Sequence, residues 1–166
     1  MIEIDDFYTH ADVITGLSHL LNETRENVSI YVLLGMSNRF AMLDILEKDD
    51  DFPLYSIGVH GWNHFQESSF GYWEMRHMLE FAISWDCFNP EFVMPWNRMP
   101  TPGAIRALKE KKFTLITPYA WQRVIVTALG CNAVNGYADM LLHPPDLLNQ
   151  DRLDQIIRRM NDEDSD

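Results

Sequence analysis

Residues 1–35 read MIEIDDFYTHADVITGLSHLLNETRENVSIYVLLG, and within them a strand, a helix and a second strand follow one another directly. Residues 1–8 (MIEIDDFY) are a brief extended run that meets two carboxylates, Asp5 and Asp6. From 11 to 24, Val13, Ile14, Leu17, Leu20 and Leu21 fall on one helical stripe. Residues 27–35 (NVSIYVLLG) are rich in Val, Ile and Tyr and read as a buried strand.

The same alternation continues outward from this unit. Phe40, Met42, Leu43 and Leu46 suggest a second helix before an acidic stop at 48–51, and residues 53–59 (PLYSIGV) form a third strand that delivers His60 at its end. Residues 71–86 are the longest helical stretch, with Trp73 and Trp85 expected in the core. Residues 91–95 are short and extended up to Pro95. Thr101 and Pro102 have the chemistry of an N-cap and a first helical position. Apolar runs at 113–117 and 123–129 predict strands, and a last one at 138–142 leads into His143-Pro144-Pro145. A closing amphipathic helix over 150–160 uses Leu153, Ile156, Ile157 and Met160. One domain over 1–160 and an acidic tail over 161–166 are expected. Strand and helix in turn predict an α/β protein with about seven short parallel strands. At 166 residues, an eight-unit barrel of about 250 residues does not fit.

Composition narrows the function. With 46% apolar residues, bulk disorder is excluded. The formal charge of −12 argues against direct nucleic-acid binding and against attraction to an anionic membrane. Cys87 and Cys131 fit no zinc spacing and are expected as free thiols. No basic start followed by an apolar run opens the chain, and no stretch approaches the roughly 20 apolar residues of a membrane span, which predicts a cytoplasmic chain.

The polar residues at strand ends carry the chemistry. In parallel α/β folds ligands bind at the C-terminal edge of the strands, where Asp5, Asp6, His60 and His143 all fall. His60-Gly61-Trp62-Asn63-His64 places two imidazoles four residues apart, a spacing that on a helical turn offers both to one ion. An oxygen ligand from another strand would leave a position open for water, as in a catalytic zinc site. Adjacent Asp5 and Asp6 reach one centre only if the strand breaks there; otherwise they are a solvated acidic start. His143 is placed to protonate a leaving amine, or else pairs with a backbone carbonyl. Trp62, Trp96 and Tyr119 follow strands and could stack on a sugar or another flat ligand, or belong to the core.

Asp5-Asp6, His60-x3-His64, the segment Pro95-Trp96-Asn97 and the ending Leu141-Leu142-His143 together resemble the polysaccharide deacetylase family (NodB homology, carbohydrate esterase family 4), most closely its divergent branch. The resemblance implies a compact, distorted and incomplete (β/α) barrel. It implies one divalent metal, usually zinc, held by Asp6, His60 and His64. Asp5 would be the general base, His143 the general acid, and Trp62, Pro95, Trp96, Asn97 and Tyr119 substrate contacts. The implied reaction removes an acyl group, N-acetyl above all, from a sugar or related small amide. Three features depart from the pattern: Val93 stands where the family usually has an arginine two residues before the motif proline, no aspartate is evident to orient His143, and the chain is short for the family. These departures leave a second reading, a catalytically weak or inactive protein of the same fold that binds a basic protein partner. The oligomeric state is left open.

Overall fold

A computed structural model describes residues 1–24, 26–47, 54–64, 69–136 and 140–163. The acidic stop at 48–51, position 53, positions 138–139 and the last three residues of the expected tail lie outside the described residues.

The strands are β1 (Ile2–Phe7), β2 (Val28–Leu33), β3 (Leu54–Gly61), β4 (Glu91–Val93), β5 (Thr114–Thr117), β6 (Ala133–Asn135) and β7 (Met140–Leu142). They form one sheet in the order β6-β5-β4-β3-β2-β1-β7, and every pairing is parallel. The chain steps outward from β1 to β6 and then returns to lay β7 against the other side of β1. The sheet curls into a half-barrel, and β6 and β7 remain its two edges. The result is an incomplete α/β barrel.

The helices are α1 (Ala11–Glu23), α2 (Arg39–Glu47), α3 (Tyr72–Ile83), α4 (Pro102–Glu110), α5 (Ala120–Ala128), α6 (Pro144–Leu148) and α7 (Gln150–Glu163). Strand period two sorts the sheet residues. Ile2, Ile4, Val28, Ile30, Val32, Ile57, Val59, Phe92 and Leu115 join one large core with Leu17, Leu20, Met75, Leu79, Ile105 and Leu108 of the helices. On the concave face lies a separate small cluster, Tyr31, Val93 and Ile116. Polar groups share that face: Ser56 and Tyr31 hydroxyls donate to Glu91 Oε2, and Asn89 donates to Ser56 Oγ at 3.0 Å. The helices therefore supply the apolar core, and the concavity holds the polar chemistry.

Local signals hold where the sequence is explicit. Thr101 caps α4 by accepting from the Ala104 N–H at 3.1 Å, and Pro102 opens the helix. Gly16 lets α1 approach α6: a Cβ there would stand 2.1 Å from the Leu147 carbonyl oxygen. Cys87 and Cys131 are free thiols.

Three expectations are corrected. The run 123–129 is helical up to Ala128, the end of α5, although Val124, Ile125 and Val126 favour strands. Tertiary contacts override propensity here, since Gln122 and Val126 lie one turn apart and are both buried. The Gln122 side chain accepts from the Thr117 hydroxyl and donates to the Asn97 carbonyl at 2.8 Å, a pair of bonds that a helix start supplies. The strand of this region is instead β6, too short to announce itself. Trp85 is buried as expected, but Trp73 is exposed on the outer side of α3, its ring 5.6 Å from the Arg76 guanidinium carbon. The closing helix runs to Glu163. Among the described residues, no helix is long and apolar enough to cross a membrane.

Candidate metal centre

The in–out alternation of β1 stops after Ile4. Pairing with β2 proceeds through Ile4↔Ile30 and resumes at Phe7↔Val32, so β1 carries one residue too many. Asp6 absorbs the extra residue in the left-handed region, at φ 58°. Phe7 thereby returns to the core, fully buried, and Asp5 and Asp6 both line one cavity of 470 Å³. This is the strand break that two adjacent aspartates need to face a common point.

His60 ends β3 on the concave face and is 2% exposed. The expected helical turn between the histidines is replaced by a fold-back, with Gly61 at φ 116° and His64 at φ 68°. The two imidazoles still meet, with ring centroids 5.3 Å apart and planes 30° from parallel. Gly35 supports the turn: its N–H donates to the Trp62 carbonyl at 2.7 Å, and a Cβ there would collide with the same residue.

Nε2 of His60 and of His64 lie 3.1 and 3.0 Å from Asp6 Oδ1. The three residues offer ligand atoms within 4.8 Å of one another. Among the described residues, no well-formed hydrogen bond reaches buried Asp6 Oδ1 or His60 Nδ1. Metal bonds of about 2.0–2.2 Å place neighbouring ligands roughly 3 Å apart, so these separations suit a coordination set. Burial raises the Asp6 carboxyl, but the close approach of His60 and the charges of His60, His64 and His143 outweigh it and hold Asp6 below the usual range. Asp5 behaves oppositely. Burial pushes its carboxyl up and the Asp6 charge adds to this, against the pull of His60, His143 and His64.

His143 comes from the other edge of β1. Ile4 pairs with Leu142 of β7, which brings the next residues, Asp5 and His143, to the same cavity. His143 is the N-cap residue of α6, and its N–H donates to Asp146 Oδ2 at 2.9 Å. Asp146 is itself buried and pairs through Oδ1 with Arg152 Nε at 2.7 Å. Trp96 and Asn97 complete the lining from a single 3-10 turn after β4, with φ of 58° and 51°. The Trp96 ring lies 4.6 Å from the His64 ring, and its Nε1 donates to the His64 carbonyl at 3.2 Å. Four of the six positive-φ non-glycine residues among those described (Asp6, His64, Trp96 and Asn97) line this one cavity. Backbone strain concentrated in this way is typical of functional sites.

Seven of the ten expected site residues therefore share one lining: Asp5, Asp6, His60, His64, Trp96, Asn97 and His143. The other three are placed differently. Trp62 lines a separate apolar cavity of 290 Å³ with Phe70, Met78 and Phe81, its ring 5.1 Å from that of Phe81. Pro95 is buried and opens the 3-10 turn. Tyr119 is exposed and lies against Trp121, with ring centroids 6.1 Å apart. Sequence reasoning missed Glu3, Leu141 and Asp146. Glu3 was findable, since it precedes Asp5 by two residues and so shares its face. Asp146 was findable too, since it follows His143 by three residues at capping-box spacing.

No protein-family model matches the sequence, and no curated protein matches it. Solved structures do. A family 4 carbohydrate esterase from Streptomyces lividans in complex with acetate superposes with a TM-score of 0.65 at 11% identity, over 98% of this chain and 87% of that one. A family 4 acetyl xylan esterase from Clostridium thermocellum in complex with a cobalt ion gives 0.65 at 14% identity, over 98% and 85%. A CE4 family pseudoenzyme from Bacillus anthracis gives 0.63 at 12% identity, over 98% and 61%. With its half-barrel of seven parallel strands, the chain has the fold of the family 4 carbohydrate esterases.

Proposed function

We propose that the chain is a metal-dependent hydrolase that removes an acyl group, N-acetyl above all, from a sugar or a related small amide. The observation that carries this reading is the convergence of Asp6, His60 and His64 on one point, in a cavity that Asp5 and His143 also line. Two imidazoles and a carboxylate suit zinc, and an ion held there supplies positive charge to polarise an acyl carbonyl and to acidify water. Asp5, with a buried oxygen that has no hydrogen-bond partner among the described residues, accepts a proton from the attacking water. His143 delivers a proton to the departing nitrogen as the C–N bond breaks, so the amine leaves neutral. The Asp146 carboxylate positions His143 through its backbone N–H, which supplies part of the orienting role that the sequence did not reveal. The Trp96 indole offers an exposed flat face beside His64 for a sugar ring.

Elemental analysis of tag-free protein tests the centre. About one divalent ion per chain is expected, absent from the His60→Ala/His64→Ala double variant. Metal at a hundredfold excess over Kd should stabilise the parent by about 2.7 kcal/mol and the double variant not at all. Asp5→Ala should keep its metal and lose turnover of N-acetylated substrates by roughly 10²–10⁴-fold. Turnover that survives in the metal-free double variant would overturn the mechanism. Val93 favours the second reading, a fold that binds a basic partner with little catalysis, and one structural neighbour is a pseudoenzyme. Metal-loaded protein that hydrolyses no acetylated sugar or amide would select it.

A further inference from the structure

A second cavity of 140 Å³ adjoins the candidate metal centre, sharing Asp5, Asn97 and Leu141 with its lining. That is far more than the ~10–15 Å³ that admits one water. Glu3 and Asp5 face it from β1, and Val93, Ile116 and Gly136 supply apolar wall. None of its lining residues among those described carries a positive charge. Asp5 is 4% exposed, and its Oδ1 is buried with no hydrogen-bond partner among the described residues. Gly136 keeps the space open over the second carboxyl, since a Cβ there would stand 3.5 Å from Glu3 Oε2 and 2.7 Å from Ile116 Cγ2. Two carboxyl groups on the edge of an apolar pocket are costly to ionise together without a counter-ion.

We propose that this side cavity is a subsite for a positively charged nitrogen group, an ammonium or guanidinium, carried by the substrate beside the acyl group that is removed. A cation seated against Glu3 and Asp5 donates charge-assisted hydrogen bonds to both carboxyls in low dielectric. A neutral sugar in the cavity offers the two carboxyls no positively charged donor. The favoured substrate is therefore an N-acylated amine with a second, cationic nitrogen. Assigning the cation to a substrate rests on the hydrolase reading; the cation preference of the cavity does not.

Titration of the metal-loaded protein with methylguanidinium, and separately with methylammonium, tests the subsite against neutral methylurea. Saturable binding of at least one cation is expected, with none of methylurea. Glu3→Gln should weaken it about tenfold or more, the loss of one hydrogen bond to a charged group. Val93→Arg, which places an internal guanidinium in the cavity, should abolish it with metal content unchanged, and Gly136→Val should block it sterically if the arginine variant fails to fold. Methylurea binding as well as the cations, parent-like affinity in these variants, or no saturable cation binding would each overturn the proposal. Hydrolysis of neutral acetylated sugars without cation binding sinks the subsite and leaves the hydrolase reading standing. Variant-sensitive cation binding without hydrolysis of any amide does the reverse.

Discussion

Asp146 is the residue whose removal most directly tests how His143 is held. Its carboxylate is 6% exposed and takes the His143 N–H at 2.9 Å on one oxygen and Arg152 Nε at 2.7 Å on the other. The two bonds differ in worth. A hydrogen bond from a partly buried backbone N–H to a charged group contributes about 1.5–3 kcal/mol. The Arg152 partner is 64% exposed, and such pairs contribute about 0–1 kcal/mol. Asp146→Ala should therefore cost about 2–3 kcal/mol, Arg152→Ala at most about 1 kcal/mol, and Asp146→Asn a value between them, because an amide oxygen still accepts from His143. For a chain of this size the alanine variant should melt roughly 4–12 °C lower. Urea unfolding followed by tryptophan fluorescence measures all three, and an unchanged m-value confirms that the states compared are the same. If Arg152→Ala costs as much as Asp146→Ala, the exposed ion pair and not the bond to His143 holds this segment. The reasoning then fails.

Glu3 should make metal-free protein lose stability as pH rises. Its folded carboxyl titrates at about 7 against an ordinary 4.5, so the folded state holds the extra proton between these values and stability falls through that window. With solvent screening the loss is on the order of 2–3 kcal/mol, and Glu3→Gln should flatten the pH profile of urea midpoints; an unchanged profile would refute it. Because the Trp96 ring sits 4.6 Å from His64, zinc titration should change tryptophan emission, and Trp96→Phe should remove most of the change. An equal change in that variant would place the reporter elsewhere. Gly16→Ala should destabilise by about 1–3 kcal/mol despite its better helix propensity, because the new methyl meets the Leu147 carbonyl. A neutral or stabilising result in a thermal melt would show that α1 and α6 are not in close contact.

Much of the fold was legible because its elements announce themselves locally. The run of Val, Ile and Tyr in residues 27–35, the stripe from Val13 to Leu21 and the cap at Thr101 each need only a short window of chain. The misreadings share one cause. Val124 to Val126 look like strand and become helix because Gln122 and Val126 bury together on one face. Trp73 looks like core and is solvent-facing, and helical spacing alone does not say which face meets the sheet. Strand β6 is three residues long and shows itself only through its pairing with β5.

The candidate ligand types were readable in sequence because carboxylates and imidazoles at strand ends are chemically conspicuous wherever the chain leads. Their convergence was not. It depends on one extra residue in β1, which turns Asp6 at φ 58° beside Asp5 instead of leaving it on the opposite face. It depends equally on left-handed backbone at His64 and on the return of β7 to the free side of β1, which sets His143 next to the aspartates. By itself the sequence determined most of the elements and which residues can do acid, base and metal chemistry, since periodicity and side-chain type are local properties. Only the tertiary structure decided which of them meet, because a bulge, a fold-back and a strand order are set by packing between segments distant in the chain.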